Sequence, residues 1–244
     1  MEGRVEMDKA GVHERKENVA RENERLRGDL LTLARRVSHD LRSPLGGIIS
    51  SGEALKEILA DTDPESLPLV ASALASAEEL SRLIQRVSFV LKATAVPIAP
   101  TPTEMGEAVT AALQRLEVRA MKQGAIITQP ASWPQVDGVA VWLDAIWWNL
   151  VGNALQHAGS SPVRIQLGWT HGKGKTEFWV TDNGGGVSEA KRKKLFQPFD
   201  TLHEDGATGG LGLSIVQRLV ELQGGSCGYR SSEAGGACFY FFLH

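Results

Sequence analysis

The sequence predicts a multi-domain chain: an all-α helical hairpin, preceded by a coiled-coil helix, followed by an α+β domain. Three observations carry that prediction. A seven-residue apolar repeat runs from Val5 to Leu33. Prolines at positions 97, 100 and 102 follow a second helical stretch. Beyond them, segments of helical period interleave with segments of strict alternation.

Residues 1 to about 60 read as helix. Val5, Val12, Val19, Leu26 and Leu33 recur every seven residues, with Lys9, Lys16, Asn23, Leu30 and Val37 four places after each. A seam of this kind, apolar toward its end and polar at its start, suits a parallel two-stranded coiled coil, and an Asn in the seam fixes register. A single solvated helix packing on its own domain is the competing reading. A second helix is expected over about Pro64 to Thr94, where Leu69, Ala73, Leu80, Leu83, Ile84, Val87, Val90 and Leu91 form one apolar stripe. Pro64 suits a first helical turn. Asp61-Thr62-Asp63-Pro64 signals a turn. The pair is therefore an antiparallel hairpin with a stripe left for a partner; a second copy would make a homodimeric four-helix bundle.

The prolines mark a stiff linker over 96–102. After it come a helix at about 103–122, a strand at 125–129 and a helix at about 139–158. Val163, Ile165, Leu167 and Trp169 alternate as a strand, and Thr176–Thr181 forms the next. A helix at about 211–223 precedes strands at Cys227–Arg230 and Cys238–Leu243. Gly172-Lys173-Gly174-Lys175-Thr176 ends like a phosphate loop, but position 169 is Trp where that motif needs Gly. It joins two alternating strands and reads as a hairpin turn.

Composition narrows the function. The 244 residues allow two modest domains. A formal net charge of -3 lacks the basic footprint of a nucleic-acid binder. No apolar run is long enough for a membrane-spanning helix, and the charged N-terminus is unlike a signal peptide. With only two cysteines, Cys227 and Cys238, no disulfide framework is expected, and a cytoplasmic setting fits. Glycine is unevenly spread: 17 of the 26 follow residue 150.

Four segments carry candidate chemistry. In Ser38-His39-Asp40-Leu41-Arg42-Ser43-Pro44, His39 lies about 160° from Leu41 on the helix and so faces away from the apolar side. Asp40 can bond one ring nitrogen and leave the other free to attack. Ser43, one turn on, points nearly the same way, and Pro44 is expected to disrupt the helix just after. An ordinary exposed histidine is the bland alternative. Asn149 and Asn153 stand four apart on one helix face. Their amide oxygens could ligate Mg2+ beside phosphates, or they could be two surface amides. Thr181-Asp182-Asn183-Gly184-Gly185-Gly186-Val187 leaves a strand into a glycine loop that a ligand can approach closely, unless it is merely a turn. Thr208-Gly209-Gly210-Leu211-Gly212-Leu213 opens an amphipathic helix, whose free N–H groups suit a phosphate.

Taken in order, with Leu195-Phe196-Gln197-Pro198-Phe199 between the last two, these motifs resemble the catalytic core of a bacterial two-component sensor histidine kinase. The resemblance covers about residues 36–244. It implies a signalling helix over 1–36, a dimerisation and histidine-phosphotransfer hairpin over 37–95, and a two-layer sandwich that binds ATP in the Bergerat manner over 103–244. It makes His39 the phospho-acceptor and Asp40 its acidic helper. Asn153, with Asn149, would hold Mg2+, Asp182 would recognise the adenine amino group, and Gly184 and Gly186 would shape the purine pocket. Phe196 and Phe199 would anchor a lid over about 197–209, and Gly210 and Gly212 would let the backbone approach the phosphates. The chain departs from the family at Thr208, commonly Gly, and at Gln156, commonly basic; His157 or a lid residue is a candidate replacement for the lost phosphate contact. Thr208, Gly209 and Leu211 complete the expected nucleotide contacts. Ser43 keeps the hydroxyl that accompanies phosphatase activity in the family.

The implied partners are a second copy, a response-regulator receiver domain, and an upstream sensor domain or sensory partner, since only a helix of about 36 residues precedes His39. A gyrase-type ATPase is a second reading, opposed by Asn149 where those enzymes place a general-base Glu. A dimeric scaffold with degenerate nucleotide binding is a third, motivated by Thr208 and Gln156. The glycines at 172, 174, 224, 225, 235 and 236 read as ordinary turns.

Overall fold

The N-terminal residues, rich in Glu, Arg, Leu and Ala, form one long helix, α1 (Glu2–Thr62), in a computed structural model describing residues 2–95, 98–157, 159, 162–172, 174–197, 211–232 and 235–244. Pro44 lies inside α1 without ending it, contrary to the expectation from sequence. Its missing N–H deprives only the Asp40 carbonyl of a helical donor, and Leu45, the next residue, is buried and keeps the helix on course. A short 3-10 turn at Pro64–Ser66 reverses the chain, with the Ser66 hydroxyl donating to Asp63 Oδ2 at 2.7 Å. Helix α2 (Leu67–Ala95) then returns along α1.

Two contacts set this antiparallel pairing. Near the turn, Gly52 faces Leu74 so closely that any side chain there would displace the leucine. Toward the open end, the buried Ser38 and Ser88 hydroxyls meet. The Ser88 hydroxyl also donates to the Ile84 carbonyl at 2.7 Å. Leu45, Ala77 and Ala93 are buried. Leu33, Val37, Leu41, Ile48 and Leu55 of α1 and Leu69, Leu80 and Val87 of α2 stay exposed, an apolar surface turned away from the hairpin interior.

The chain divides into two compact units, Met1–Val96 and Pro97–His244. In the second, β1 (Thr101–Glu104) leads into α3 (Met105–Lys122), followed by β2 (Ile126–Thr128), β3 (Gln135–Gly138) and α4 (Ala140–His157). Then come β4 (Arg164–Gly172), β5 (Lys175–Asp182), α5 (Glu189–Arg192), α6 (Gly212–Glu221), β6 (Ser226–Ser231) and β7 (Ala237–Leu243). A five-stranded sheet has the order β2-β4-β5-β7-β6, and β1 pairs antiparallel with β3 in a separate ribbon. Only the β2–β4 pair in the larger sheet is parallel. Neither β1 nor β3 follows from the sequence pattern; both are four residues long, and each is defined by the other. Gly172 pairs with Lys175 around Gly174, whose φ is +73°, so the glycine-lysine run is a hairpin turn as expected.

Helices α3, α4 and α6 pack together on the large sheet, giving the two-layer α+β architecture. The strongly apolar α4 occupies the middle. Its Trp147 is fully buried, meeting Phe178 of β5 edge-on at 6.3 Å and Phe241 of β7 at 5.6 Å. Aromatic burial on this scale dominates a core of this size. It fixes α4 against β5, and so fixes the distance between the asparagines of α4 and the aspartate that ends β5.

Candidate functional site

In the helical unit, the burial of Ser38 sets the rotation of α1. The next residue, His39, is forced outward, and its side chain is 83% exposed. Asp40 Oδ1 lies 3.2 Å from His39 Nδ1. A carboxylate can only accept, so in the neutral ring this contact selects the tautomer with the proton on Nδ1 and the lone pair on Nε2. Ser43 is exposed one turn further on. The side chain geometry expected at His39 and Asp40 from sequence is thus present.

In the second unit, alternation along β5 turns its last residue, Asp182, inward, and the carboxylate is buried. Its Oδ1 accepts the backbone N–H of Gly184 at 2.8 Å and of Ala237 at 3.2 Å. No described residue bonds Oδ2, which leaves one oxygen of a buried carboxylate for an N–H donor from outside. Asn183 secures the strand end: its Oδ1 accepts from Arg164 N at 2.9 Å and its Nδ2 donates to the Pro162 carbonyl at 3.0 Å. Gly186 has φ +67°, a conformation open mainly to glycine, and packs against the Gly235 and Gly236 carbonyls.

Gly236 corrects the sequence reading. It is not an ordinary turn: a Cβ there would collide with the Asp182 carbonyl oxygen and stand 2.9 Å from Asp182 Oδ1. Its bareness lets Ala237 N reach the carboxylate. Gly225 is likewise closed in, by the Phe242 carbonyl and Val220. Gly172, whose Cβ would meet nothing, is the last residue of β4 and stands beside the hairpin turn.

Helix α4 brings three of the expected residues along one face. Asn149 is buried, its Nδ2 donating to the Ala145 carbonyl at 2.7 Å. Its Oδ1 is buried without a hydrogen-bond partner among the described residues and lies 3.2 Å from where a Gly212 Cβ would stand. It can accept from a donor or cation that the described residues do not supply. Asn153 is half-buried one turn on. His157, in the last turn, has its pKa lowered by burial; Asp182 pulls it back up and Arg119 pushes it further down. Asp182 and His157 are therefore electrostatic neighbours. Gly212 opens α6 after the buried Leu211, and the positive end of that helix lies next to the Asn149 oxygen. Phe196 is half-buried. Phe199, Thr208, Gly209 and Gly210, with the expected lid beyond residue 197, lie outside the described residues.

The donor set fits a magnesium ion shared with phosphates better than a self-sufficient protein cage. Amide oxygens are hard ligands suited to Mg2+. Among the described residues no group of three or more His, Cys, Asp or Glu is placed to hold a metal.

Comparison with known proteins gives the same picture. Residues 29–94 match the "His Kinase A (phospho-acceptor) domain" family, and residues 138–244 match "Histidine kinase-, DNA gyrase B-, and HSP90-like ATPase". The methanogenesis regulatory histidine kinase FilI of Methanothrix harundinacea is 29% identical over 209 residues, covering 85% of this chain and 24% of FilI. The sensor histidine kinase AruS of Pseudomonas aeruginosa is 30% identical over 221 residues, covering 84% of this chain and 22% of AruS. The chain thus spans about a quarter of the length of these curated relatives. Among solved structures, full-length ShkA in complex with AMPPNP superposes with a TM-score of 0.61 at 26% identity, covering 86% of this chain and 45% of ShkA. His39 falls inside the first matched segment, and Asn149, Asn153 and Asp182 inside the second, so the chain belongs to the histidine kinase family and carries its phospho-acceptor and ATPase portions in that order.

Proposed function

We propose that the chain binds Mg-ATP in its C-terminal unit, phosphorylates His39, and passes the phosphoryl group to an aspartate on a response-regulator receiver domain. The observation that carries this reading is His39: exposed, with Nδ1 beside Asp40 Oδ1, on the same chain as a buried aspartate with one oxygen that no described residue bonds. Nε2 attacks the γ-phosphorus in line, and the bond to the β–γ bridging oxygen breaks, releasing ADP. Asp40 holds the Nδ1 proton and favours the cationic ring that forms as the new N–P bond grows.

The purine sits against Asp182, whose free oxygen accepts the adenine amino N–H. The Gly184–Gly186 backbone forms one wall. We place the phosphates toward the start of α6, at Leu211 and Gly212, and assign Thr208, Gly209 and Gly210 to them by motif; His157, an electrostatic neighbour of Asp182, stands on the purine side. By motif, we assign Phe196 and Phe199 to the edge of the lid. Asn153 and Asn149 hold the metal, which when bound neutralises charge developing on the transferring phosphoryl group. Ser43, one turn from His39, is the group we assign to hydrolysis of the phosphorylated regulator. We assign residues 1–36 to signal input from an upstream sensor domain or sensory partner, 37–95 to dimerisation and phosphotransfer, 96–102 to a linker, and 103–244 to ATP binding. The exposed apolar stripe of the hairpin supports a homodimer. No described helix is long and apolar enough to cross a membrane, and we place this portion in the cytoplasm, where ATP and receiver domains are available.

Incubation with γ-labelled ATP tests the reading. Acid-labile, base-stable label on the protein, absent in His39→Gln, is the expected result. Steady phosphate release without labelled protein would instead favour a gyrase-type ATPase, a reading opposed by the phospho-acceptor match. Absence of nucleotide binding would leave a scaffold.

A further inference from the structure

The loop that follows Asp182 is tied down at both ends, and the second tie is made by side chains that no motif contains. At its start, Gly184 N–H is held by Asp182. At its end stands Val187, directly after the left-handed Gly186. Val187 N–H donates to the Tyr229 hydroxyl at 3.1 Å. The Val187 carbonyl accepts from Arg192 Nε at 3.1 Å. Both backbone groups of one loop residue are thus satisfied by side chains, from β6 and from α5.

The two side chains also support each other. The Arg192 guanidinium lies over the Tyr229 ring, 5.6 Å from its centre. A second Arg192 nitrogen donates to Ser231 Oγ at 3.1 Å, two residues along β6. The Tyr229 ring rests on Phe239 of β7, with centres 5.4 Å apart, and Phe239 is buried in the core. Ser231 pairs with Ala237, the residue whose N–H reaches Asp182. One end of the β6–β7 pair therefore anchors both the aspartate and the far side of the glycine loop. Glycines leave the intervening backbone with the most conformations to lose, so an external tie has the most to contribute here.

We propose that Tyr229 and Arg192 are positioning residues of the purine pocket, clamping Val187 so that the Gly184–Gly186 backbone is preorganised to receive the base. This rests on the nucleotide reading given above. Neither residue need touch the nucleotide; each acts through Val187, and the gain is in binding rather than chemistry. Because the clamp lies at the purine end, it should serve ADP and ATP equally.

The test uses the full chain. Tyr229→Phe keeps the ring on Phe239 and under Arg192 and removes only the hydroxyl, leaving Val187 N–H unpaired. Loss of one such bond should weaken ADP binding by roughly threefold to tenfold, measured by calorimetry. ATP should lose the same factor, with the change appearing in KM and not in kcat. Arg192→Ala should act in the same direction, and Arg192→Lys should restore only part. The double variant should lose less than the product of the two single losses, since both groups hold one residue. A merely structural role would lower the melting temperature of the nucleotide-free chain while leaving ADP affinity as in the wild type, and that result overturns the proposal. If the wild-type chain itself binds no ADP, the assignment of the pocket to a purine falls first and the clamp with it. If the wild type binds ADP and both single variants bind it equally well, the clamp alone falls.

Discussion

Gly236 lies so close against Asp182 that a methyl group on its α-carbon would collide with the Asp182 carbonyl oxygen. The contact joins the end of β5 to the start of β7, and through it Ala237 N–H reaches the carboxylate at 3.2 Å. Gly236→Ala should push the two strand ends apart, cost about 1–3 kcal/mol of stability as overpacking does, and abolish measurable ADP binding. Gly172→Ala, at a glycine whose Cβ would meet nothing, is the control and should stay within about 0.5 kcal/mol of the wild type. Equal ADP affinity in the two variants would remove Gly236 from the site.

Much of this was legible in the sequence, and the gaps have a common cause. The helices α3, α4 and α6 and the strands β4, β5 and β7 show their period locally, because each buries one face against a large core. His39 with Asp40, Asn149 with Asn153, and Asp182 with its glycines are contiguous or one turn apart, so their geometry is written into their spacing. The strands β1 and β3 are not, since Thr101-Pro102-Thr103-Glu104 has no apolar alternation and gains its partners only from residues 135–138. The same holds for Gly236, whose neighbour is Asp182, and for Tyr229, whose partners are Val187 and Arg192. Residues that serve the site across the fold look like ordinary turn and strand residues until the fold exists.

The orphaned Asn149 oxygen and the half-buried Asn153 predict where the metal acts. Asn153→Ala should leave the hairpin dimer unchanged in sedimentation. It should remove the Mg2+-dependent part of ATP affinity, a loss of roughly tenfold or more given what even outer-shell changes cost a metal site. ATP affinity measured in EDTA should be unaltered. A variant whose ATP affinity still responds to Mg2+ as the wild type does would place the ion elsewhere.

Burial, followed by the charge of Glu221, pushes the Cys227 thiol from its ordinary 9.0 up to about 12. Above pH 9 the unfolded chain releases this proton while the folded chain keeps it. Stability therefore falls as pH rises through the window from 9 toward 12, and is fully present below it. Cys227→Ser has no proton to lose there. Urea unfolding of both proteins at pH 8 and at pH 10.5 should show the wild type losing more stability than the variant between the two. Equal losses would mean the thiol is not held protonated by the fold. At pH 8 the thiol should also resist iodoacetamide until the domain unfolds, because the thiolate is the reacting form.

The hairpin exposes Leu41, Ile48 and Leu55 at seven-residue spacing on α1, and Leu80 and Val87 at the same spacing on α2, with Ile48 55% exposed and Leu69 75% exposed. Fully burying one such side chain contributes about 1.5–3 kcal/mol, and every one of them is present twice in a dimer. The heptad seam before residue 30 offers less, because Lys9, Lys16 and Asn23 fill alternate positions. Deleting residues 1–30 should therefore weaken the dimer without abolishing it, so that sedimentation at micromolar concentration still finds mostly dimer. Ile48→Glu in the full chain should do the opposite. It places a charge in the centre of the apolar surface while leaving the coiled-coil seam intact, and the chain should sediment as a monomer with its ADP affinity unchanged. Complete dissociation on the deletion, together with an intact Ile48→Glu dimer, would move the dimer contact from the hairpin to the seam.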